Sequence, residues 1–350
     1  MDYLQLQDKC RGSIVGGAVG DALGYEVEFM DLSEILNRFG EKGITRFVND
    51  AEGIAGFSDD TQMTLFTLEG LMTGLNSNND GSPESILPYI RQAYLNWYKT
   101  QTESPDPLPD SSLWRIKSLW SRRAPGNTCL SALCDISLGR TVRNNSKGCG
   151  GVMRVAPIGI FYGAHPDIAS PLKTAMLAGL AADLTHKHIA STFASAMLAL
   201  IVEFCISHLV VGIKELEGVI IYSLEIISEA FPGYDSEFKS FSKLMNLTLE
   251  LAKSDMTDFE GIRKLGQGWV GDEAIAIALF AVLRHIDSFE DCIVCAVNHD
   301  GDSDSTGAIA GNIIGAITGY AAIPEYFTES LEIENELVKR ADSLCHEICE

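Results

Sequence analysis

Asp300, Asp302 and Asp304 stand at alternate positions in Asn298-His-Asp-Gly-Asp-Ser-Asp-Ser-Thr-Gly307, with Ser303, Ser305 and Thr306 among them. A second acidic stretch, Gly56-Phe-Ser-Asp-Asp-Thr-Gln-Met-Thr-Leu65, places Ser58, Asp59 and Asp60 about 240 residues earlier. Crowded carboxylates repel one another unless something neutralises them. A hard divalent cation with oxygen ligands is the usual neutraliser. A solvated helix-capping cluster is the alternative, since Asp and Ser both suit helix starts. If the two stretches meet, four carboxylates (Asp59, Asp60, Asp302, Asp304) and two hydroxyls (Ser58, Ser305) converge. That inventory suits one or two octahedral Mg²⁺ or Mn²⁺ ions.

A third stretch, residues 140–151 (Arg-Thr-Val-Arg-Asn-Asn-Ser-Lys-Gly-Cys-Gly-Gly), is basic and glycine-rich within an acidic chain. Glycine lets a backbone approach a ligand closely, and clustered amides hold phosphate oxygens; an ordinary flexible loop has the same composition. The loop lacks the Lys-Ser/Thr ending of a P-loop, which disfavours nucleoside triphosphate hydrolysis. Together the three stretches fit hydrolysis or transfer at a phosphorylated or nucleotide-like substrate, with a phosphoester and a glycosidic bond both open.

The elements that must position these groups read as helices. Both acidic stretches run directly into apolar periodic segments, Met63 to Leu71 and Ala308 to Ile317. Gly12, Gly16, Gly20 and Gly24 recur every fourth residue in an N-terminal helix, and Gly307, Gly311, Gly315 and Gly319 repeat the stripe after the second acidic stretch. Each interior helix glycine costs roughly 1 kcal/mol against alanine, so such stripes predict two central helices packed closely, against each other or a ligand. Further helices are predicted over 32–39, 61–75, 83–100, 112–123, 128–138 and 272–285, through most of 153–284, and over 289–297 and 333–349. Pro105, Pro107 and Pro109 predict an extended surface loop. No alternating segment is long enough for a strand. The expectation is an all-α, multi-helix, single domain over 1–350.

The formal charge of −22 (26 basic, 48 acidic residues) opposes non-specific binding to nucleic acid or anionic membranes. A hydrophobic content of 46% with 21% charged residues allows a sizeable core. Nine scattered cysteines, Cys349 among them, and no signal-peptide pattern predict reduced thiols and a cytoplasmic location. Cys292-Ile-Val-Cys295 reads as core packing rather than metal binding, lacking a second pair at zinc spacing. The apolar run 189–213 is broken by Glu203 and His208 and reads as a buried helix, not a membrane span.

Six segments carry a resemblance to the ADP-ribosylglycohydrolase family, in that family's order. They are Gly20-Asp-Ala-Leu-Gly-Tyr-Glu-Val-Glu-Phe29, Ser58-Asp-Asp-Thr-Gln-Met-Thr64, Gly148-Cys-Gly-Gly-Val-Met-Arg-Val-Ala-Pro-Ile158, Leu184-Thr-His186, Gly268-Trp-Val-Gly-Asp-Glu-Ala274 and Gly301-Asp-Ser-Asp-Ser-Thr-Gly307. The resemblance implies a compact orthogonal helical fold with a binuclear metal site in a central cleft, holding two Mg²⁺ or Mn²⁺ ions. It implies cleavage of the bond between the anomeric carbon of ADP-ribose and an acceptor, most specifically an arginine side chain of a protein. By the same resemblance Ser58, Asp59, Asp60, Asp302, Asp304 and Ser305 match the ligand positions, and Asp300 falls where the family varies. Asp60 is the candidate carboxylate for water or ribose activation, and Glu28 matches the glutamate of a mobile loop over the metals in some relatives, with Glu26 competing for that role and a solvated loop acid as the alternative. Gly148, Cys149, Gly150 and Gly151 match the diphosphate loop, where Cys149 departs from the commoner Asn. Ser146 is a further phosphate contact, and His186 matches a histidine near the adenosine. Arg154 is either a phosphate neutraliser or a buried structural arginine, Asp21 structural or behind the ligands, and Trp269 and Glu273 mainly packing. His165, His188, His208, His285 and His346 suggest no chemistry.

Alternative readings are an ADP-ribose-binding or toxin-blocking protein with little catalysis, a hydrolase of serine-linked or small-molecule ADP-ribose, and a metal-dependent phosphohydrolase. The expected partner is an ADP-ribosylated protein or small molecule, with no membrane, no nucleic acid and a monomeric state.

Overall fold

The computed structural model describes residues 1–77, 80–104, 108, 112–209 and 211–345. Pro105, Pro107, Pro109, His346 and Cys349 lie outside them. The described residues are all-helical, with no named strand. In chain order the helices are α1 (Tyr3–Tyr25), α2 (Leu32–Phe39), α3 (Asp59–Leu75), α4 (Pro83–Thr102), α5 (Asn127–Ser137), α6 (Ala156–Ala164), α7 (Pro171–Asp183) and α8 (Ile189–Ser207). They continue as α9 (Ile213–Ala230), α10 (Asp235–Ala252), α11 (Asp258–Leu265), α12 (Gly271–Arg284), α13 (Phe289–Val297), α14 (Ser303–Thr318), α15 (Glu325–Thr328) and α16 (Glu334–Leu344).

α1 and α14 form the most extensive helix pair, and the glycine stripes are the reason. A Cβ on Gly16 would lie 2.6 Å from the Gly311 carbonyl oxygen, and one on Gly20 would strike the carbonyl of Gly307. The relation is reciprocal: Gly307, Gly311 and Gly315 face the carbonyls of Gly20, Gly16 and Gly12. Backbone thus meets backbone along both helices. The Lys9 amine, buried in the same pair, donates to the carbonyls of Ala316 (2.9 Å), Ile317 (3.3 Å) and Cys205 (3.0 Å), satisfying acceptors at the α14 C-terminus.

α8 is long and apolar enough to cross a membrane, but it is mostly buried, packed by α6 and α7. The helix predicted over 112–123 is instead two short 3₁₀ turns, Ser112–Arg115 and Lys117–Trp120. Ile116 is extended (φ −85°, ψ 106°) and interrupts the ladder, while Trp120 Nε1 donates to the Trp114 carbonyl at 2.8 Å. An edge-on contact of the two indoles completes the turn.

Candidate active site

Asp21, one residue past Gly20 on α1, fixes where α3 begins. Its Oδ1 accepts the Ser58 amide (2.8 Å), and its Oδ2 accepts both the Thr61 amide (2.9 Å) and the Thr61 hydroxyl (2.5 Å). Ser58 caps α3 by accepting the Asp60 amide at 3.2 Å. The α3 start is tied on its other side by the Asp59 amide, which donates to the Arg123 carbonyl at 3.0 Å. Arg123 in turn forms a two-pronged pair with Glu332. The start of α14 is set by the Asp302 amide, donating to the Gln267 carbonyl at 2.8 Å. Because α1 carries both Asp21 and the glycine stripe that seats α14, one helix brings the two acidic stretches together.

They meet in a cleft of about 200 Å³ whose walls include Asp59, Asp60, Asp302, Asp304, Ser305 and Glu28. Glu28, in the turn after α1, offers a carboxylate oxygen that lies with those of Asp302 and Asp304 within 4.8 Å of one another. Glu28 Oε2, Asp60 Oδ2 and Asp302 Oδ2 are buried without a hydrogen-bond partner. The Ser305 hydroxyl has the Met153 sulfur at 4.0 Å and also interacts with the Cys149 thiol. Burial first, and the Asp304 charge second, raise the pKa of Asp59, Asp60 and Asp302 well above the carboxylate range, that of Glu28 to about 9 and that of Asp21 to about 7. Buried, unpartnered, all-oxygen donors of like charge are what a hard divalent cation satisfies, so this side-chain set fits Mg²⁺ or Mn²⁺.

Gly148, Cys149 and Gly150 form another wall. The Cys149 amide donates to the Trp269 carbonyl at 3.3 Å. A Cβ on Gly148 or Gly150 would lie 3.1 or 3.0 Å from the His186 ring, a tight contact that glycine avoids as the loop lies against that imidazole. Burial, then the Arg154 charge, push the His186 pKa down to about 3, and the ring is neutral. His186 Nδ1 is 2.9 Å from Thr185 Oγ1, which already accepts Arg154 Nη2 at 2.7 Å. Of the two acceptors open to the threonine proton, Nδ1 at 2.9 Å is nearer than the Ala182 carbonyl at 3.4 Å, and donation to Nδ1 places the imidazole hydrogen on Nε2, beside Gly148.

Several sequence-predicted residues stand elsewhere. Ser58 is buried behind the cleft wall, its hydroxyl used in capping α3. Ser146 accepts the Gly148 amide at 3.2 Å and braces the loop instead of lining the cleft. Gly151 is also off the wall, since its Cα faces Ser191 and Ala182. Glu26 pairs with Arg38 at the surface, while Glu28 enters the cleft. Asp300 accepts the Leu32 amide at 2.7 Å and is not a cleft residue. Arg154 is fully buried: it sits 4.2 Å from the Tyr94 ring centroid and binds Thr185 and the Ala181 carbonyl, so its role is structural. No cationic side chain lines the cleft among the described residues. Trp269 is 40% exposed on the cleft rim, where it stacks on Phe29, itself 74% exposed, at 5.9 Å. Glu273 accepts the Gln267 and Gly268 amides and holds that loop. Ala124, on the cleft wall with a left-handed φ of 52°, carried no sequence signal.

The ADP-ribosylglycohydrolase family model matches residues 2–350. The chain belongs to the ADP-ribosylglycohydrolase family. As a member of that family it is an ADP-ribosyl hydrolase. It is 25% identical to the ADP-ribosyl-[dinitrogen reductase] glycohydrolase of Rhodospirillum rubrum, over 97% of this chain and 96% of that protein. It is 24% identical to the ADP-ribosylarginine hydrolase Tri1 of Serratia proteamaculans, over 96% of this chain and 79% of that protein. A solved structure titled ADP-ribosylglycohydrolase-related protein complex superposes with a TM-score of 0.66 over 98% of both chains at 23% identity, a likeness of fold. In this ADP-ribosylglycohydrolase, the motifs that carried the resemblance supply the cleft's carboxylates and its glycine wall.

Proposed function

We propose that this ADP-ribosylglycohydrolase releases ADP-ribose from ADP-ribosylated arginine on protein, with two Mg²⁺ or Mn²⁺ ions in its cleft. The observation that carries the reading is the convergence of Glu28, Asp302 and Asp304 within 4.8 Å, with orphaned oxygens on Glu28 and Asp302, beside a glycine-lined wall. Arginine as acceptor is supported by the name of the Serratia relative.

Asp59, Asp60, Asp302, Asp304 and Ser305 would hold the ions, with Ser58 behind them. When bound, the ions neutralise the carboxylates and orient the hydroxyls of the distal ribose. The chain's own groups do the rest. The Gly150 amide and the Nε2–H of His186 donate to the diphosphate end, while the Gly148 and Cys149 amides are held by the Ser146 hydroxyl and the Trp269 carbonyl; without a cationic side chain, binding there relies on N–H dipoles. Departure of the acceptor builds positive charge at the anomeric carbon. Glu28 or Asp60 stabilises that charge or takes a proton from the attacking water, and the effect is strong because both are buried. The cleft is smaller than the roughly 300 Å³ at which small-molecule sites begin. Part of the substrate then lies beyond the cleft, toward the exposed Phe29–Trp269 pair on its rim. The reading also includes a monomeric protein in a reducing cytoplasm, consistent with the free, mostly buried thiols.

The test measures free ADP-ribose released from arginine-ADP-ribosylated protein, with Mg²⁺, with a chelator, and with Asp304→Ala. Metal-dependent release that disappears in the variant is expected. Tight ADP-ribose binding without release from arginine would redirect the reading to another linkage; neither release nor binding would refute it.

A further inference from the structure

A second cluster of ligating side chains forms where α11, α12 and α13 converge. Asp258 opens α11, His285 directly follows α12, and Cys295 lies in α13. A carboxylate oxygen, an imidazole nitrogen and the thiol sulfur lie within 4.8 Å of one another. None of the three lines the acidic cleft.

The surroundings orient these groups. Asp258 Oδ2 is 2.8 Å from His285 Nε2. Its other oxygen, Oδ1, accepts Arg284 Nε at 3.2 Å. Arg284 is itself fixed by the carbonyls of Ser254 (2.8 Å) and Met256 (3.1 Å). The guanidinium thus holds the carboxylate by one oxygen and leaves the other facing the imidazole. A ligating carboxylate anchored this way is a common feature of metal centres. Asp258 and His285 are partly exposed, which gives an ion a way in, and Cys295 is buried.

We propose that Asp258, His285 and Cys295 form a Zn²⁺ site separate from the acidic cleft. Mixed oxygen, nitrogen and sulfur donors suit a borderline-soft cation, whereas Mg²⁺ and Ca²⁺ take all-oxygen sets. Charge balances: one carboxylate and one thiolate offset the 2+ ion, the imidazole is neutral, and binding releases the Cys295 proton to solvent. Solvent completes fourfold coordination on the exposed side. The ion ties α11 and the end of α12, already linked through Asp258, to α13, and α13 leads straight into the turn that carries Asp302.

The experiment uses the full chain, stripped by a chelator, supplied with excess Mg²⁺ and titrated with Co²⁺ as an optical probe. A thiolate-to-cobalt charge-transfer band that saturates at one equivalent and is abolished by one equivalent of Zn²⁺ is expected. Cys295→Ser removes the band, and His285→Gln weakens Co²⁺ binding by at least about tenfold. Cys149 is the necessary control, because it is a thiol beside Asp302; the band survives in Cys149→Ser and in Asp304→Ala. Zn²⁺ raises the Tm of the parent and leaves that of Cys295→Ser unchanged. Circular dichroism checks folding; if Cys295→Ser does not fold, the partly exposed His285→Gln carries the test. Absence of the band, its persistence in Cys295→Ser, or its loss in Cys149→Ser overturns the proposal and leaves Asp258, His285 and Arg284 as an ion-pair network beside a buried thiol.

Discussion

Gly20→Ala and Gly218→Ala make the same chemical change in two helix interiors with opposite surroundings. A Cβ on Gly218 in α9 meets nothing within 4 Å, so the substitution should gain the helix-propensity difference, about 1 kcal/mol. On Gly20 it strikes the Gly307 carbonyl and comes within 3.0 Å of the Ala308 nitrogen, all backbone that no rotamer change can move. Overpacking costs about 1–3 kcal/mol, and a rigid obstacle argues for the upper end. Subtracting the propensity gain leaves a net loss of about 2 kcal/mol. At about 2.1 cal/mol/K per residue, the 350-residue chain unfolds with roughly 0.7 kcal/mol/K of entropy. Gly20→Ala should then lower Tm by about 3 °C and Gly218→Ala raise it by about 1.4 °C. Activity should separate the variants further. Asp21 adjoins Gly20 and sets the α3 start, and a 1 Å misplacement of catalytic groups costs about 100-fold in rate. Thermal unfolding and ADP-ribose release measure both effects. Gly20→Ala with a Tm and a rate equal to the parent's would refute the claim that backbone contact between α1 and α14 sets the cleft.

Glu28→Gln should lower kcat by about 100-fold or more, while Glu26→Gln, which loses only a surface pair with Arg38, should stay within twofold; steady-state kinetics decide. Arg154→Lys loses the planar fork that reaches Thr185 and Ala181 together, and should cost about 1–3 kcal/mol in thermal unfolding with KM within threefold. A tenfold rise in KM at unchanged Tm would reinstate a phosphate contact. Stability should also depend on pH through the cleft. The folded pKa of Glu28, about 9, and of Asp21, about 7, lie above their ordinary values, so the folded state holds more protons. Metal-free stability therefore falls as pH rises from about 4.5 through about 9, and the Tm gain from Mg²⁺ grows over the same range. A Mg²⁺ gain that is flat or declining with pH would contradict this.

The glycine pairing was legible because a four-residue repeat is local information: no fact about α14 is needed to see that α1 has a bare face. The two acidic stretches were legible for the same reason, as capping-type residues before apolar runs. What the sequence hid depends on partners far along the chain. Arg154 looked like a possible anion ligand until Tyr94, Thr185 and Ala181 enclosed it. Ser58 matches a ligand position by type, and only the structure shows that its buried hydroxyl also accepts the Asp60 amide to cap α3. Arg123 and Glu332, separated by 209 residues, secure the α3 start through a pair that no spacing suggests. Phe29 and Trp269 are exposed, so hydrophobic periodicity never samples them. The helix over 112–123 is broken by two extended residues, Ile116 and Ser121, in a segment whose composition still favours helix.

The α1–α14 pairing also sets a timetable for synthesis. Gly20 and Gly307 are 287 positions apart (307 − 20). At roughly 5–20 residues per second, α1 leaves the ribosome about 15–60 s before its partner exists. Throughout that interval its glycine-bared face has nothing to dock against, and the carboxylates of α3 have no counterpart. Neighbouring elements such as α6, α7 and α8 can associate as they emerge, but cleft assembly waits for α14. A nascent chain stalled before residue 303 would accordingly hold much of its helical interior and no catalytic centre, and α1 would be the segment a chaperone has to shield.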